Sequence, residues 1–254
     1  MIYSLAPVAA AQKIVAQLAK MEINAILQTG IEVLQKEGEG AFLIKMGRHT
    51  LQTKSETPLT PGKEYWVDIE ESKKGIIHLT RLHPRPETLK KGVFTPLGGS
   101  DILEKIAQDR DPVESFKERV LYMMASSQSK DQFQSLAQML LALHNGVVTM
   151  PIQERGKRAI LQMKRRRAQE SSSKEKSVEF YAAFNNLGPI EGRIVIYEKS
   201  YSLSLEVFYP KTARLLSGLK DKLSGFSNIS VKIRDSFIFP FWESERLSLL
   251  DIKG

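Results

Sequence analysis

The chain contains few of the residue patterns that form catalytic or metal-binding sites. The chain has no cysteine, which excludes disulfides, thiolate nucleophiles and thiolate metal ligands. Its four histidines, His49, His78, His83 and His144, are not spaced as paired metal ligands such as H-x-x-x-H. We therefore interpret them as structural or solvated residues.

Two further motifs share features with catalytic or nucleotide sites without completing them. The carboxylates of DIEE, residues 68–71, have no identifiable partner acid or base. The PLGGSD segment, residues 96–101, lacks the Lys-Ser/Thr ending of a phosphate-binding loop. The sequence therefore favours a protein that is not an enzyme, and it predicts no cofactor, metal or small-molecule substrate.

The strongest charge feature is a basic tract in the second half of the chain. Residues 151–177 carry nine basic and three acidic side chains, in a chain of net charge +8. The centre of the tract is KRRR, formed by Lys164, Arg165, Arg166 and Arg167. Three hypotheses stay open: a solvated connection between strands, a contact with acidic groups of a protein partner, and phosphate binding to nucleic acid.

The elements that would position these residues begin with an amphipathic helix. Pro7 is acceptable in a first helical turn, and apolar residues then recur at helical spacing, which predicts a helix over about 5–20. Six short, partly alternating segments follow between 22 and 82, separated by turns with Gly or Pro. They predict a small antiparallel β-barrel, OB-like or similar, so residues 1–82 would form a first domain.

The middle of the chain is predicted to be a linker followed by helices. Residues 83–99 contain three prolines and no sustained periodicity, which is typical of a linker. Within 100–149, Asp111 and Glu114 are placed as N-cap and N3 residues of a helix. A further helix ends at HNG, where Gly146 is available for a left-handed C-terminal turn.

The remaining residues, 150–254, are predicted to form an α+β module. The segments RAILQMK, SVEFYAAF, EGRIVIYE and YSLSLEVFY read as strands, an amphipathic helix follows over about 210–225, and NISVKIR is a last strand. The apolar tail SFIFPFWESERLSLL, residues 236–250, which contains FIFPFW at 237–242, is predicted to dock on its own domain. The fold class expected for the whole chain is α+β.

The NNLGP segment between two of these strands predicts a turn. Glycine reaches backbone angles that other residues avoid, and proline fixes its own φ angle, so Leu187, Gly188 and Pro189 are interpreted as a structural motif leading into a strand.

The order of the C-terminal elements also occurs in a known family. A Leu-Gly step leads into a strand, a second strand follows, and an Ala/Arg/Leu-rich helix precedes a final strand. In these features residues 150–234 resemble the C-terminal domain of the flagellar hook-length control protein. The LTPGKEYWVDIEESKKGIIHLTRL segment is similar to a small β-rich module upstream in some relatives. The matching positions are Leu187, Gly188, Ile190, Arg193, Ile194, Ile196, 203–208, Ala213, Arg214, Leu215, Leu219, Leu223 and 229–233.

What the resemblance implies is a role in the bacterial flagellar type III export system, in hook-length control or protein export. In that family the C-terminal domain engages the cytoplasmic domain of the export-gate switch protein and changes export from hook-type to filament-type subunits. Hook proteins are a further implied partner. The candidate contact residues are then Lys164, Arg165, Arg166 and Arg167 together with Arg193 and Arg214. The predicted helix and strand-rich region occupy the place where ruler-type members have a long polar segment, which favours a switching, accessory or paralogous role.

The expected location is cytoplasmic, with export through the flagellar apparatus left open. No run of 18 uninterrupted apolar residues is present, so no membrane span is predicted, and the N-terminal residues do not form a Sec-type signal peptide.

The competing hypothesis is a nucleic-acid-binding accessory protein that uses the OB-like barrel and the basic tract at 155–167. Such proteins need a basic groove with stacking aromatic residues. The predicted barrel region carries eight basic and nine acidic side chains between 22 and 82. Tyr65 and Trp66 are adjacent, so they point to opposite faces of a strand and at least one is expected in the core. Nucleic acid is therefore the less favoured partner.

Overall fold

The computed structural model describes residues 29–71, 77–90, 95–97, 106, 109, 111–154, 156–165, 176–197, 200–223 and 225–243. Over these residues the protein is a mixed α+β structure, and the predicted fold class is confirmed at that level. The helix predicted over 5–20 lies outside the described residues, as do Arg166 and Arg167.

The first sheet is antiparallel and contains the first five strands of the described chain. The strand order is β3-β2-β1-β4-β5, so that β3 and β5 lie at the two edges as described. Its core forms on one face because alternate strand residues point the same way. The strands are β1 (Thr29–Lys36), β2 (Ala41–Met46), β3 (His49–Lys54), β4 (Glu64–Glu71) and β5 (Ile77–Pro84).

The second sheet has the order β11-β10-β9-β8-β7-β6 over the described residues. Neighbouring strands are antiparallel except β10 and β11, which run parallel because a helix connects them. The strands are β6 (Val147–Glu154), β7 (Lys157–Arg165), β8 (Lys176–Phe184), β9 (Gly188–Tyr197), β10 (Ser200–Val207) and β11 (Asn228–Ile233).

Sequence periodicity predicts five of these six strands and does not predict β6. This strand contains Pro151, which cannot donate a ladder hydrogen bond and is tolerated at the edge of a sheet. The Pro151 carbonyl accepts a hydrogen bond from the Leu97 amide at 3.1 Å.

Three α-helices are described: α1 (Pro112–Ala125), α2 (Lys130–His144) and α3 (Pro210–Gly218). The Asp111 carboxylate accepts a hydrogen bond from the Glu114 amide at 3.1 Å, which confirms the predicted N-cap. Gly146 has a φ angle of +77°, as the predicted turn after α2 requires. α3 ends earlier than predicted, at Gly218, and a 3-10 turn at Lys220–Lys222 follows, because glycine is unfavourable in a helix interior.

The described residues of the segment predicted as a linker, 83–90 and 95–97, pack against both sheets. His83, Leu89 and Leu97 are all buried, and Glu87–Leu89 forms a 3-10 turn. Prolines in this segment therefore shape a buried connection between the two sheets.

None of the helices in the described part of the chain combines the length and the apolar composition needed to cross a bilayer.

Candidate partner-binding surface

The second sheet has two different faces, and the candidate contact residues are divided between them. We call the side under α1, α2 and α3 the helix face. It is apolar across the sheet, with Met150, Leu161, Phe180, Ile194 and Leu205 in one core. We call the opposite side the strap face, because residues 237–243, the C-terminal strap, and the first sheet cover part of it.

Lys164 lies on the strap face and is already engaged within the chain. Its Nζ is 3.4 Å from a carboxylate oxygen of Glu179 and 3.9 Å from the centre of the Phe241 ring in the strap. The Arg165 backbone ends β7, paired with Val178. The first residue of the predicted KRRR contact therefore has internal partners.

Arg193 lies on β9, on the same face as Lys164. The strand register places it opposite Glu179 on β8 and Ser204 on β10. Lys164, Glu179 and Arg193 thus form a row of alternating charge across three strands, which stabilises neighbouring strands. The buried Nε of Arg193 makes no hydrogen bond to the described residues.

Arg214 lies on the opposite side of the sheet, on α3. The helix buries Thr212, Ala213 and Leu216 and leaves Arg214 exposed. This arginine stands at the rim of an open groove between α3 and β11, with a volume of about 620 Å³. The structure therefore does not bring Arg214 together with Lys164 and Arg193. The groove is lined by Pro210, Ala213, Arg214, Ser217, Val231 and Ile233.

The Leu187–Gly188–Pro189 motif ends the turn between β8 and β9 and begins β9, where it contacts the start of α3. Gly188 has a φ angle of +75°, and a Cβ atom there would lie 2.6 Å from the Tyr209 ring, so only glycine fits. The Leu187 carbonyl accepts a hydrogen bond from the Thr212 hydroxyl at 2.8 Å. The motif thus positions α3, and with it the groove.

A polar cluster joins the first sheet to this turn. The Asn185 carbonyl accepts a hydrogen bond from Trp66 Nε1 at 3.1 Å, and its side-chain oxygen accepts one from Arg85 Nη2 at 2.6 Å. Arg85 also pairs with Glu64 at 2.8 Å. Burial lowers the pKa of the Arg85 guanidinium, and Glu64 opposes that shift. Neither Asn185 nor Arg85 was predicted from the sequence to have this role.

His83 holds the start of the C-terminal strap. Its Nε2 accepts a hydrogen bond from the Ile238 amide at 3.0 Å, so the proton of the neutral ring is on Nδ1, which donates to the Pro84 carbonyl at 2.8 Å. Burial lowers the pKa of His83 to about 4, although the hydrogen bond from the ring to the Pro84 carbonyl opposes the shift. The histidine therefore has a structural role as a neutral anchor.

Gln162 holds the end of the strap. Its side-chain amide donates to the Trp242 carbonyl at 2.6 Å and accepts from the Trp242 amide at 3.1 Å, as a neighbouring strand would. Glu243 accepts a hydrogen bond from the Glu87 amide at 2.9 Å, and burial raises the pKa of this carboxyl. The sequence feature that could have identified this contact is Gln162 itself, a polar residue within the apolar RAILQMK segment. The predicted docking of the tail is confirmed for its described residues, and Ile238 is buried.

The described residues contain no group of three or more His, Cys, Asp or Glu side chains that could hold a metal ion. Comparisons with protein-family models, with curated proteins and with solved structures find no match to this chain. Functional inference therefore depends on the two sheet faces, the groove and the sequence resemblance.

Proposed function

We propose that this protein is a non-enzymatic component of the bacterial flagellar type III export system and acts by protein contact, in hook-length control or in export specificity switching. The observation that carries the proposal is the succession β9, β10, α3, β11, entered through Leu187 and Gly188. This succession is the one expected from the resemblance to the hook-length control family. The packing of α3 through Ala213 and Leu216 supports it further.

The proposed partner is the cytoplasmic domain of the export-gate switch protein, with hook proteins as a second candidate. Protein contact requires an accessible surface, and the α3–β11 groove supplies one on the helix side of the second sheet. Arg165, Arg166 and Arg167 are proposed as an additional electrostatic contact. Lys164 is a weaker candidate than Arg214, because Glu179 and Phe241 already occupy its ammonium group.

The proposal also includes the architecture of the N-terminal domain. We infer an N-terminal helix over 5–20 and a first sheet that curls into an OB-like barrel by the approach of β3 and β5. The competing nucleic-acid hypothesis gains no support from this sheet. Tyr65 and Trp66 are both buried, in two different cores, so neither ring is available to stack on a base.

A deletion of the gene, followed by measurement of hook lengths by electron microscopy, tests the biological role. The proposal expects a changed length distribution or a failure to export filament subunits. Unchanged hooks and unchanged filament export would overturn it.

A pull-down with the purified cytoplasmic domain of the switch protein tests the contact. Reversal of charge at Arg165, Arg166 and Arg167 should weaken retention at low salt. The matched control reverses three exposed basic residues of the first sheet, Lys45, Arg48 and Lys54. Equal retention of the two triple variants would remove the arginine segment from the mechanism.

A further inference from the structure

The groove between α3 and β11 borders an unpaired sheet edge. Among the described strands, β11 pairs only with β10 and in parallel. A free edge presents backbone N–H and C=O groups to any extended segment that approaches, and proteins usually block such edges. Here Ile233 at the end of β11 is 49% exposed, so the edge offers apolar surface as well as backbone groups.

The register of β11 directs its apolar side chains toward the helix. Ile229, Val231 and Ile233 alternate with polar residues, and Val231 and Ile233 line the groove. A strand added beside β11 would place every second side chain between β11 and α3. Main-chain hydrogen bonds would then supply affinity, and the groove would select side chains.

The charges around the groove favour an acidic segment. Arg214 lines the groove and is exposed, and Lys222 is exposed in the 3-10 turn that follows α3. Lys220 in the same turn adds a third positive charge, against Asp221 and Asp235. Lys232 is not counted, because its side chain lies on the opposite face of β11 from Val231 and Ile233. Lys211 and Arg234 are left out of this count because they pair with carboxylates elsewhere. A second copy of the chain would bring the same positive charges together, which opposes self-association at this edge.

We propose that the α3–β11 groove binds an extended acidic segment of a protein partner, which adds as a strand to β11. Its apolar side chains contact Val231 and Ile233, and a carboxylate pairs with the Arg214 guanidinium, whose planar fork suits two hydrogen bonds. The identity of the partner rests on the proposed function. The chemistry of the bound segment is inferred from the groove alone.

The test uses the full chain and a capped nine-residue peptide of alternating valine and glutamate, with a valine–lysine peptide as the charge control. Binding is measured by isothermal titration calorimetry, and backbone amide shifts are mapped by NMR. The acidic peptide should bind and shift the amides of β11 and α3. Arg214→Glu should weaken binding about tenfold, as expected for loss of a charged hydrogen-bonding pair. The same change at exposed Arg48 should leave the affinity within about twofold, since Arg48 lies in the β2–β3 turn.

Several outcomes would overturn the inference. These are equal binding of the two peptides, shifts confined to other elements, or equal losses for Arg214→Glu and Arg48→Glu. A dimer in sedimentation equilibrium that Ile233→Ser dissociates would show that a second copy occupies the edge.

The proposed function and this inference fail in different ways. If Arg214→Glu retains the switch domain in a pull-down and the acidic peptide does not bind, the groove proposal fails and the function stands. If the peptide binds as described and the switch domain is never retained, the groove proposal stands and the partner assignment fails.

Discussion

The two faces of the second sheet are closed by different kinds of contact. The helix face is covered by helices close in sequence, and its core is apolar from β6 to β11. The strap face is covered by segments far away in the chain: Trp66 bonds to Asn185 across 119 residues and His83 to Ile238 across 155. Directional polar anchors are needed on the strap face, because hydrophobic burial alone does not select one register for a short strap.

The largest effect is expected where the strap-face core is emptied. Trp66→Ala should lower the free energy of unfolding by about 3–5 kcal/mol, because it leaves a cavity between the sheets and removes the bond to Asn185. Urea unfolding monitored by circular dichroism measures the change. Tyr122→Ala on α1 is the control, since that side chain is 67% exposed and its loss should stay within about 0.5 kcal/mol. Equal losses would show that the inter-sheet contact does not stabilise the protein.

The second-largest expected effect is a decrease in the free energy of unfolding at low pH, which arises from His83 on the strap face. The folded pKa of His83, about 4, lies below its ordinary value of 6.5, so between these values the unfolded chain binds more protons. Stability is therefore fully present above about pH 6.5 and falls as the pH drops toward 4, by about 3 kcal/mol. Urea unfolding at a series of pH values measures this loss, and His83→Gln should flatten it.

The control for this titration is His144→Gln at the exposed end of α2, which should keep the pH dependence of the natural sequence. The raised pKa of Glu243 acts with the opposite sign, since it favours the folded state as the pH falls. That contribution is present in each variant and cancels in the difference. An identical pH profile for His83→Gln and the natural sequence would contradict the neutral-anchor role.

A smaller effect is expected on the helix face, where packing is tight. A Cβ atom at Gly192 would overlap the ring of Phe180, so Gly192→Ala should destabilise the protein by about 1–3 kcal/mol. Adding Phe180→Leu should recover part of this loss in a double-mutant cycle measured by urea unfolding. Gly218→Ala has open space and serves as the control. Strict additivity of the two changes would show that the ring does not limit this position.

The smallest effect concerns the partly exposed end of the strap face. Arg234 Nη1 lies 2.7 Å from Glu191 and 3.4 Å from Glu206. A double-mutant cycle of Arg234→Ala with Glu191→Ala should give a coupling of about 0.2–1 kcal/mol that declines with added salt. The same cycle with Glu206→Ala is the comparison and should give less. A coupling well above about 1 kcal/mol, or one that added salt does not reduce, would contradict the assignment of this pair to the partly exposed end of the face.

Local periodicity explains which elements could be predicted from the sequence. The alternation in EGRIVIYE and YSLSLEVFY predicted β9 and β10, and leucines at helical spacing predicted α3, because these patterns depend on neighbouring residues. β6 was missed because Pro151 interrupts the pattern. The proline-rich segment with His83 and Leu89 was interpreted as a linker, since turn residues report backbone shape and carry no information about burial.

In the candidate site too, the sequence predicted the types of residue, and only the fold determined which of them lie together. Sequence identified Arg214, Lys164 and Arg193 as cations, yet only the fold separates Arg214 at the groove from Lys164 and Arg193 on the strap face. Gln162 and Asn185 gain their roles from partners in distant segments.

The sequence by itself determined the α+β class, most strands of the second sheet, the caps and turns at Asp111, Gly146 and Gly188, and the excess of positive charge. These properties follow from side-chain periodicity and backbone preferences within a few residues. Tertiary structure alone decided that the two sheets share a core, that the strap is anchored by His83 and Gln162, and that β11, beside α3, pairs with β10 alone among the described strands. Those features depend on contacts between residues far apart in the chain, which no local pattern encodes.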